Sequence, residues 1–226
     1  WSERAERLRY PAVKRTKRWI GLLLHYLVLL SLAYIFIFPI LFLTSQSLMQ
    51  PADVTNALVR WIPQELSFRN FTDAFVKLDY WSSFRNNLII SAGSAFGQVF
   101  SCALAGYGLA RYRFPGYTLV LILVIFAFLV PPQTVIVPLF LLMSHFGWIN
   151  TYYPFIVPGF LGQGLWGALF VLIYIQFFRR LPNELGEAAR MDGAGAFRTF
   201  ARIMLPLARP AMLVVFLFSF VWHWND

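Results

Sequence analysis

Four long stretches of the chain contain no Asp, Glu, Lys or Arg side chain. They cover residues 19–52, 86–110, 114–178 and 210–225. A bilayer core of about 30 Å needs about 20 apolar helical residues, whose backbone polar groups must be paired within the helix. Because the third stretch is long enough for two helices, the pattern predicts five membrane-spanning helices. The predicted spans cover residues 19–43, 87–110, 117–142 and 155–178, and the fifth begins at residue 211.

The third predicted span has the least regular sequence. Pro131, Pro132 and Pro138 lie within it, and a proline inside a helix removes a backbone hydrogen bond. A second interpretation is therefore a helix that ends near Val130. In that case the segment 139–148 lies along the membrane surface.

The composition supports a membrane protein and excludes several other classes. Of the 226 residues, 59% are hydrophobic and 13% are charged, whereas soluble globular proteins carry about 25% charged residues. This excludes a disordered tail, a disulfide scaffold and most cytosolic enzymes. A soluble helical core does not fit, because the uncharged stretch 114–178 leaves no polar face for water. A signal peptide does not fit either, since the first apolar run is too long and lacks a small-residue cleavage site.

The charged residues are distributed unevenly, with 19 basic against 10 acidic side chains and a net charge of +9. Fifteen of the 19 basic residues lie within 1–18, 111–113 and 179–209, which the predicted spans place on one side of the membrane. Lys and Arg accumulate on the cytoplasmic side of membrane proteins. We therefore predict a cytoplasmic N-terminus, and the positive charge needs no nucleic-acid partner.

The second predicted span carries small residues at four-residue spacing, namely Gly93, Gly97, Ser101 and Ala105. Small residues at this spacing form a groove in which the backbone of another helix approaches closely. The stripe therefore predicts helix packing and carries no chemistry of its own.

Polar and aromatic side chains within or beside the spans are candidates for a solute pathway. Amides next to aromatic faces could bind a sugar, which offers hydroxyl groups at its edges and C–H groups on its faces. Hydrogen bonding between helices explains the same amides equally well, so both interpretations stay open. The candidate pathway residues are Asn86, Asn87, Gln98, Gln163, Trp166 and Tyr174.

No residue pattern predicts catalysis, a metal site or a bound cofactor in this chain. The three histidines, His25, His145 and His223, lack metal-ligand spacing, and the single Cys102 is typical of packing. Neither a phosphate-binding loop nor a nucleophile elbow occurs. No complete predicted span contains a charge, which disfavours a proton- or sodium-coupled pump.

The segment 179–209 is longer than a connection requires. It has 31 residues, whereas connections within helical bundles usually have about 2–8. We predict two short helices around a break at Asp192-Gly193, the first opened by Pro182-Asn183. Apolar residues at helical spacing mark the second helix, which we expect to end at Pro206. A helix lying on the membrane surface is the alternative.

The motifs of this segment resemble the EAA loop of binding-protein-dependent ABC importer permeases. The resemblance lies in Glu187-Ala188-Ala189, Gly193, Ile203 and Leu205-Pro206, and the surrounding string is similar to the carbohydrate-uptake branch, particularly the smaller maltose-type permease. Further similar motifs are Asn86-Asn87-Leu88, the run 105–111 with Phe114-Pro115-Gly116, the run 130–133 and Trp224-Asn225-Asp226.

The resemblance implies an all-α integral membrane protein with the type I ABC importer transmembrane fold. It implies a basic cytoplasmic tail over 1–18, a first span with an external segment over 19–84, and a transmembrane core over 85–226. Five spans are expected here and a sixth is presumed missing, because the sequence reads as a truncated fragment of a longer chain.

The resemblance also implies a role in a bacterial inner membrane. The chain would translocate a sugar or related solute without a catalytic site of its own. The implied partners are a second homologous permease, a cytoplasmic ATPase dimer that carries ATP and Mg, an external solute-binding protein and membrane lipid. The residues implied to couple transport to the ATPase are Glu187, Ala188, Ala189, Asp192, Gly193, Ile203, Leu205 and Pro206.

Two other functions are compatible with a multi-span protein. An ATP-independent secondary transporter would be expected to show an inverted repeat with broken helices and a buried charge, and neither is visible in the sequence. A membrane scaffold or receptor would use the segment 179–209 as a plain docking site. The identity of the solute does not follow from any residue pattern.

Overall fold

The computed structural model describes residues 2–55, 61–164 and 166–225, and within these ranges the side chains of residues 2–18 and of Thr55 are not described. The predicted basic tail over 1–18 therefore falls outside the described side chains. The chain divides into two compact units, Trp1–Tyr80 and Trp81–Asp226.

The first unit is built around one long apolar helix. Its helices are α1 (Ser2–Ser47), α2 (Pro51–Thr55) and α3 (Arg69–Lys77). The part of α1 from Trp19 to Ser47 is long and apolar enough to span a membrane, which confirms the first predicted span. Trp61 packs against its C-terminal end, with ring centroids 5.1 Å from Phe38 and 5.9 Å from Phe42.

The polar link after α1 is held by backbone contacts. The side-chain amide of Asn70 donates to the carbonyls of Ser47 and Met49, at 3.1 and 2.8 Å. The Ser67 amide donates to the Leu48 carbonyl at 2.9 Å. These bonds satisfy carbonyl groups at the helix end and fold the link back onto it.

The described secondary structure of the second unit consists of helices joined by short links. Its first helix, α4, begins at the boundary with the first unit. Its helices are α4 (Tyr80–Arg111), α5 (Tyr117–Leu129), α6 (Pro132–His145), α7 (Tyr153–Phe160), α8 (Gly167–Arg180), α9 (Glu184–Met191), α10 (Ala196–Thr199), a π-helical turn (Phe200–Met204), α11 (Leu205–Leu207) and α12 (Arg209–Trp224).

Two predicted spans are not continuous helices, so that part of the prediction is wrong. The backbone is extended at Val130 and Pro131, and α5 and α6 meet there at a bend of 101°. This matches the second interpretation, in which the helix ends near Val130. The predicted span 155–178 is divided into α7 and α8, because Gly162, Gly164 and Trp166 have positive φ values that no helix contains.

Within the described residues, two helices alone have the length and apolar composition of a span. They are Trp19–Ser47 and Tyr80–Arg111, and the number rises to four if each of two bent helix pairs forms one span. The second bent pair joins Ala196–Leu207 to α12 at an angle of 77°. The fifth predicted span is thus confirmed as a helix that starts two residues earlier than expected.

The core of the second unit forms where α4, α8 and α12 meet. Tyr174, Phe170 and Phe178 of α8 are fully buried there, together with Val215 of α12. A Cβ atom at Gly106 of α4 would lie 2.4 Å from the Cβ atom of Tyr174. The backbone of α4 therefore approaches α8 more closely than any side chain at this position would allow.

The stripe of small residues on α4 contacts α7, as predicted for three of its four members. A Cβ atom at Gly97 would lie 2.8 Å from the Phe160 amide nitrogen and 2.9 Å from the Gly159 carbonyl carbon. The Ser101 hydroxyl donates to the Gly159 carbonyl at 2.6 Å, and Gly93 lies against Ile156. The prediction is wrong for Ala105, which is exposed.

Candidate functional site

The segment between α8 and α12 forms two short helical pieces around a glycine, as predicted. At the end of α9 the Ala194 amide donates to the Ala189 carbonyl at 2.9 Å, and the Gly193 amide donates to the Arg190 carbonyl at 3.0 Å. This pair of bonds is the Schellman ending of a helix. Gly193 has a φ of +76°, which glycine adopts at no steric cost.

The second piece differs from the prediction at Pro206. This proline does not end the helix but lies within α11, and the backbone breaks at Ala208. The preceding residues form a π-helical turn, in which each hydrogen bond joins residues five apart and not four as in an α-helix. Pro206 lies directly after this π-helical turn, at the start of α11.

The apolar side chains of the second piece divide between two environments. Phe200 and Met204 are buried, with exposures of 5% and 1%, whereas Phe197 is 71% exposed. The buried pair packs on the protein, so this side of the segment is not the membrane-facing side of a surface helix.

The segment is attached to the core through an aromatic contact. The ring of Phe200 lies 5.3 Å from that of Tyr107 on α4, and Tyr107 in turn lies 5.5 Å from Phe178 of α8. Ala189 of α9 is also buried. Leu185 of α9 packs against the core cluster that contains Phe200, Tyr107 and Phe178, so both short helical pieces contact the core of the unit.

The other predicted coupling residues lie on or near the surface of this segment. Glu187 and Ala188 are exposed on α9, next to Met191, which is 89% exposed. Asp192 and Gly193 are exposed at the break, and Ile203 and Leu205 are half-buried. An exposed face with the carboxylates of Glu184 and Glu187 is thus presented by a helix whose Ala189 is buried.

Three arginines lie at the same end of the unit as this segment. Arg111, at the end of α4, donates to Asn183 and to the Leu181 carbonyl. Arg179 donates to the Tyr117 hydroxyl at 2.7 Å, and the guanidinium of Arg113 lies 4.1 Å from the centre of the Tyr117 ring. The basic groups 111–113 and 179–180, predicted on one side of the membrane, are therefore neighbours.

Sequence reasoning did not identify Arg111 or Tyr117 as site residues. An arginine directly after an apolar span is the ordinary sign of a cytoplasmic span end, so its contacts leave no distinct pattern. The only available signal for Arg111 was its place at the end of the motif over 105–111.

Among the predicted pathway residues, Gln98 is the centre of a buried hydrogen-bond cluster. Its side-chain amide donates to the Gln163 carbonyl at 2.9 Å, and its oxygen accepts a bond of 2.6 Å from the Ser219 hydroxyl. The imidazole Nδ1 of His223 lies 2.8 Å from the Ser219 carbonyl. Gln98 thereby joins α4, the break between α7 and α8, and α12.

The remaining pathway candidates are not brought together. Asn86 accepts a bond from the Tyr152 hydroxyl at 2.7 Å, and Asn87 donates to the Trp224 carbonyl at 3.1 Å. Trp166 lies against Trp222, with centroids 5.0 Å apart. Tyr174 is fully buried in the core. In this structure Gln98 and Tyr174 are out of reach of a solute, whereas Gln163 and Trp166 are exposed.

The residues that carry this geometry fall within one family match. Residues 102–226, which include the end of α4, the segment 181–208 and α12, match the family described as binding-protein-dependent transport system inner membrane component. The chain belongs to this family. As an inner membrane component of this kind, it has the helical fold that its sequence predicted.

Sequence relatives of this inner membrane component are uptake permeases. It is 31% identical over 199 residues to the diacetylchitobiose uptake system permease protein NgcG of Streptomyces coelicolor, covering 88% of this chain and 65% of NgcG. It is 34% identical over 190 residues to the melibiose/raffinose/stachyose import permease protein MelC of Bacillus subtilis, covering 83% of this chain and 67% of MelC. The chain thus spans about two thirds of these relatives.

A solved structure shows the same fold. The inner membrane component matches a bacterial ABC transporter involved in the import of the acidic polysaccharide alginate, with a TM-score of 0.76 and 23% sequence identity. The match covers 94% of this chain and 73% of the other. Its fold is therefore that of an ABC importer permease.

Proposed function

We propose that the chain is the permease subunit of an ATP-driven importer that takes up a sugar or related solute delivered by an external binding protein. The observation that carries the proposal is the exposed Glu187-Ala188 face of α9, a helix whose Leu185 packs against the hydrophobic core of the unit. Family membership and the uptake permeases among its relatives support the same function.

In this proposal α9 is the coupling helix and enters a groove of a partner ATPase subunit. Glu187 offers a carboxylate to a basic residue, Ala188 permits close approach, and Gly193 provides the turn. The ATPase dimer carries ATP and Mg, and this chain contributes no catalytic group. A second homologous permease completes the pathway, and the N-terminus and the segment 181–208 lie on the cytoplasmic side.

Energetics require that the whole segment moves as one body. Reversing a two-state equilibrium from 1:99 to 99:1 needs about 5.5 kcal/mol, whereas an exposed ion pair contributes about 0–1 kcal/mol. Glu187 therefore cannot transmit the movement alone. The packing of Leu185 on the hydrophobic core and of Phe200 on Tyr107 connects the segment to α4 and α8.

The solute would pass near the break between α7 and α8. Trp166 and Gln163 expose an aromatic face and an amide there, and Asn86 and Asn87 lie at the beginning of α4. Gln98 and Tyr174 remain part of the proposed pathway, reached only if the helices around them separate during transport. The uptake of oligosaccharides named in NgcG and MelC supports a sugar as solute.

The test is uptake by the complete transporter in liposomes, with Glu187→Arg and Gly193→Val each introduced separately. Both variants are expected to insert in the membrane and to lose uptake, because the docking face is changed. Asp73→Arg, on the exposed α3, is the matched control. Unimpaired uptake by both variants would remove the coupling assignment.

Two outcomes would favour the alternative functions. Uptake that persists when the ATPase subunit is omitted indicates a secondary transporter. Failure to co-purify with an ATPase, together with absence of solute uptake, indicates a scaffold or receptor.

A further inference from the structure

The last residue of α4, Arg111, contacts all three residues that lead into α9. Its Nη1 group donates to the side-chain oxygen of Asn183, and its Nη2 group donates to the Leu181 carbonyl at 2.7 Å and, more weakly, to the Pro182 carbonyl at 3.4 Å. The contact lies outside the packed core of α4, α8 and α12. It is a polar connection between the end of the second span and the start of the candidate coupling helix.

The contact changes what Asn183 does. Asn183 is the residue before α9, a position where asparagine commonly accepts a bond from an amide of the first turn. Among the described residues it makes no such side-chain cap, and its oxygen accepts the Arg111 bond instead. The hydrogen bond from Arg111 therefore connects the residue before α9 to α4. A cap within α9 itself would not make this connection.

The neighbouring arginines do not share this role. Arg113 and Arg179 both contact Tyr117, at the start of α5. Of these three arginines, Arg111 is the one whose described hydrogen bonds go to residues 181–183. Its two terminal nitrogens donate to three acceptors, an arrangement that the single ammonium group of lysine does not reproduce.

We propose that Arg111 is a positioning residue, which fixes α9 to the end of α4 and so passes a displacement of the coupling helix to the second span. The proposal rests on the coupling function of the segment 179–209. It identifies a route to α4 that is separate from the contact of Phe200 with Tyr107.

The positioning role is tested first on the purified full chain, without partners. Hydrogen exchange of the α9 amides is measured in Arg111→Gln and in the matched control Arg113→Gln. We expect exchange over 184–191 to be about tenfold faster in Arg111→Gln, the effect of losing a charge-assisted hydrogen bond. Exchange over 93–105 should be unchanged, which shows that the protein is folded. Equal exchange in the two variants would overturn the proposal.

The functional test uses the complete transporter and measures the ATP hydrolysed per solute taken up. This ratio should rise at least about fivefold in Arg111→Gln, an effect within the usual range for coupling between sites. Arg111→Lys should give an intermediate ratio. Asn183→Ala is the milder variant, for use if Arg111→Gln folds poorly, and it should raise the ratio less. Adding Asn183→Ala to Arg111→Gln should have little further effect, because the two residues share one contact.

The outcomes separate the two proposals. If Glu187→Arg uncouples the transporter and Arg111→Gln does not, Arg111 has no positioning role although the coupling function stands. If uptake needs no ATPase, the coupling function itself fails, and the exchange measurement still reports whether Arg111 fixes α9.

Discussion

The ring of Phe200 lies 5.3 Å from the ring of Tyr107, tilted by 36°. This contact joins the segment after α9 to the second span, about one turn before the end of α4. Both rings are buried. The segment is therefore packed on the transmembrane core by an aromatic side chain as well as by the polar contacts of Arg111.

Replacing Phe200 by Ala should destabilise the protein and loosen the segment. Truncation of a buried phenylalanine usually costs about 3–5 kcal/mol, whereas surface substitutions usually remain within about 0.5 kcal/mol. The matched control is Phe197→Ala, since Phe197 is mostly exposed on the same segment. Thermal unfolding of both variants in detergent measures the difference. Equal stability of the two variants would contradict the packing.

Replacing Gly193 by Ala should weaken the end of α9 through backbone strain alone. No described atom lies within 4 Å of a Cβ atom added there, but the φ of +76° is left-handed. That conformation costs a non-glycine residue about 1–2 kcal/mol.

The control for this variant is Gly195→Ala. Gly195 is also surrounded by open space among the described atoms, but its φ is −68°. Hydrogen exchange of the amides over 189–194 should therefore accelerate in Gly193→Ala and remain unchanged in Gly195→Ala. Similar exchange in both would show that the turn does not depend on the backbone conformation of Gly193.

The sequence predicted the helices that depend on local composition, and it failed where contacts between helices decide the backbone. Uncharged apolar runs are sufficient for α1, α4 and α12. The break at Val130 was foreseen as an alternative, because proline acts through its own ring. The break at Gly162 and Gly164 was not, because glycine is also common within membrane helices, and the bond from Gln98 to the Gln163 carbonyl joins residues far apart in sequence.

The candidate site shows the same division. The order of Glu187, Gly193 and Leu205-Pro206 along the chain was enough to suggest the family that the match over 102–226 shows. The contacts that attach the segment 179–209, through Phe200 and Arg111, join residues 93 and 72 positions apart. A single sequence gives no sign of such pairs, because an apolar ring and a span-end arginine both have ordinary local explanations.

Replacing Gln98 by Leu should destabilise the junction of α4, α12 and the break before α8. The substitution leaves the Ser219 hydroxyl and the Gln163 carbonyl without their Gln98 bonds. A hydrogen bond between membrane helices contributes about 0.6 kcal/mol on average and at most about 1.7, so the loss should be about 1–3 kcal/mol. Gln163→Leu is the control, because it removes an exposed side chain and retains the backbone carbonyl. Denaturation in mixed detergent measures both, and an equal loss would contradict the cluster.

Replacing Gly106 by Ala should be the most disruptive single-methyl change in the core. The new Cβ atom would lie 2.4 Å from the Cβ atom of Tyr174 and 3.2 Å from the Val171 carbonyl oxygen. The new methyl group would collide with the backbone of α8 and with the Cβ atom of Tyr174, and neither can move away by a side-chain rotation. Overpacking of this kind usually costs about 1–3 kcal/mol, occasionally more, against a gain in helix propensity of about 1 kcal/mol.

Gly108→Ala separates the packing effect from the propensity effect. No described atom lies within 4 Å of a Cβ atom at Gly108, two residues further along α4, so this variant should keep or slightly raise the unfolding temperature. Gly106→Ala should lower it and reduce the folded fraction recovered in detergent. If Gly106→Ala is as stable as Gly108→Ala, α4 and α8 do not approach each other at the distance described. A loss confined to Gly106→Ala would instead show that the close contact between these two helices limits which residue can occupy position 106.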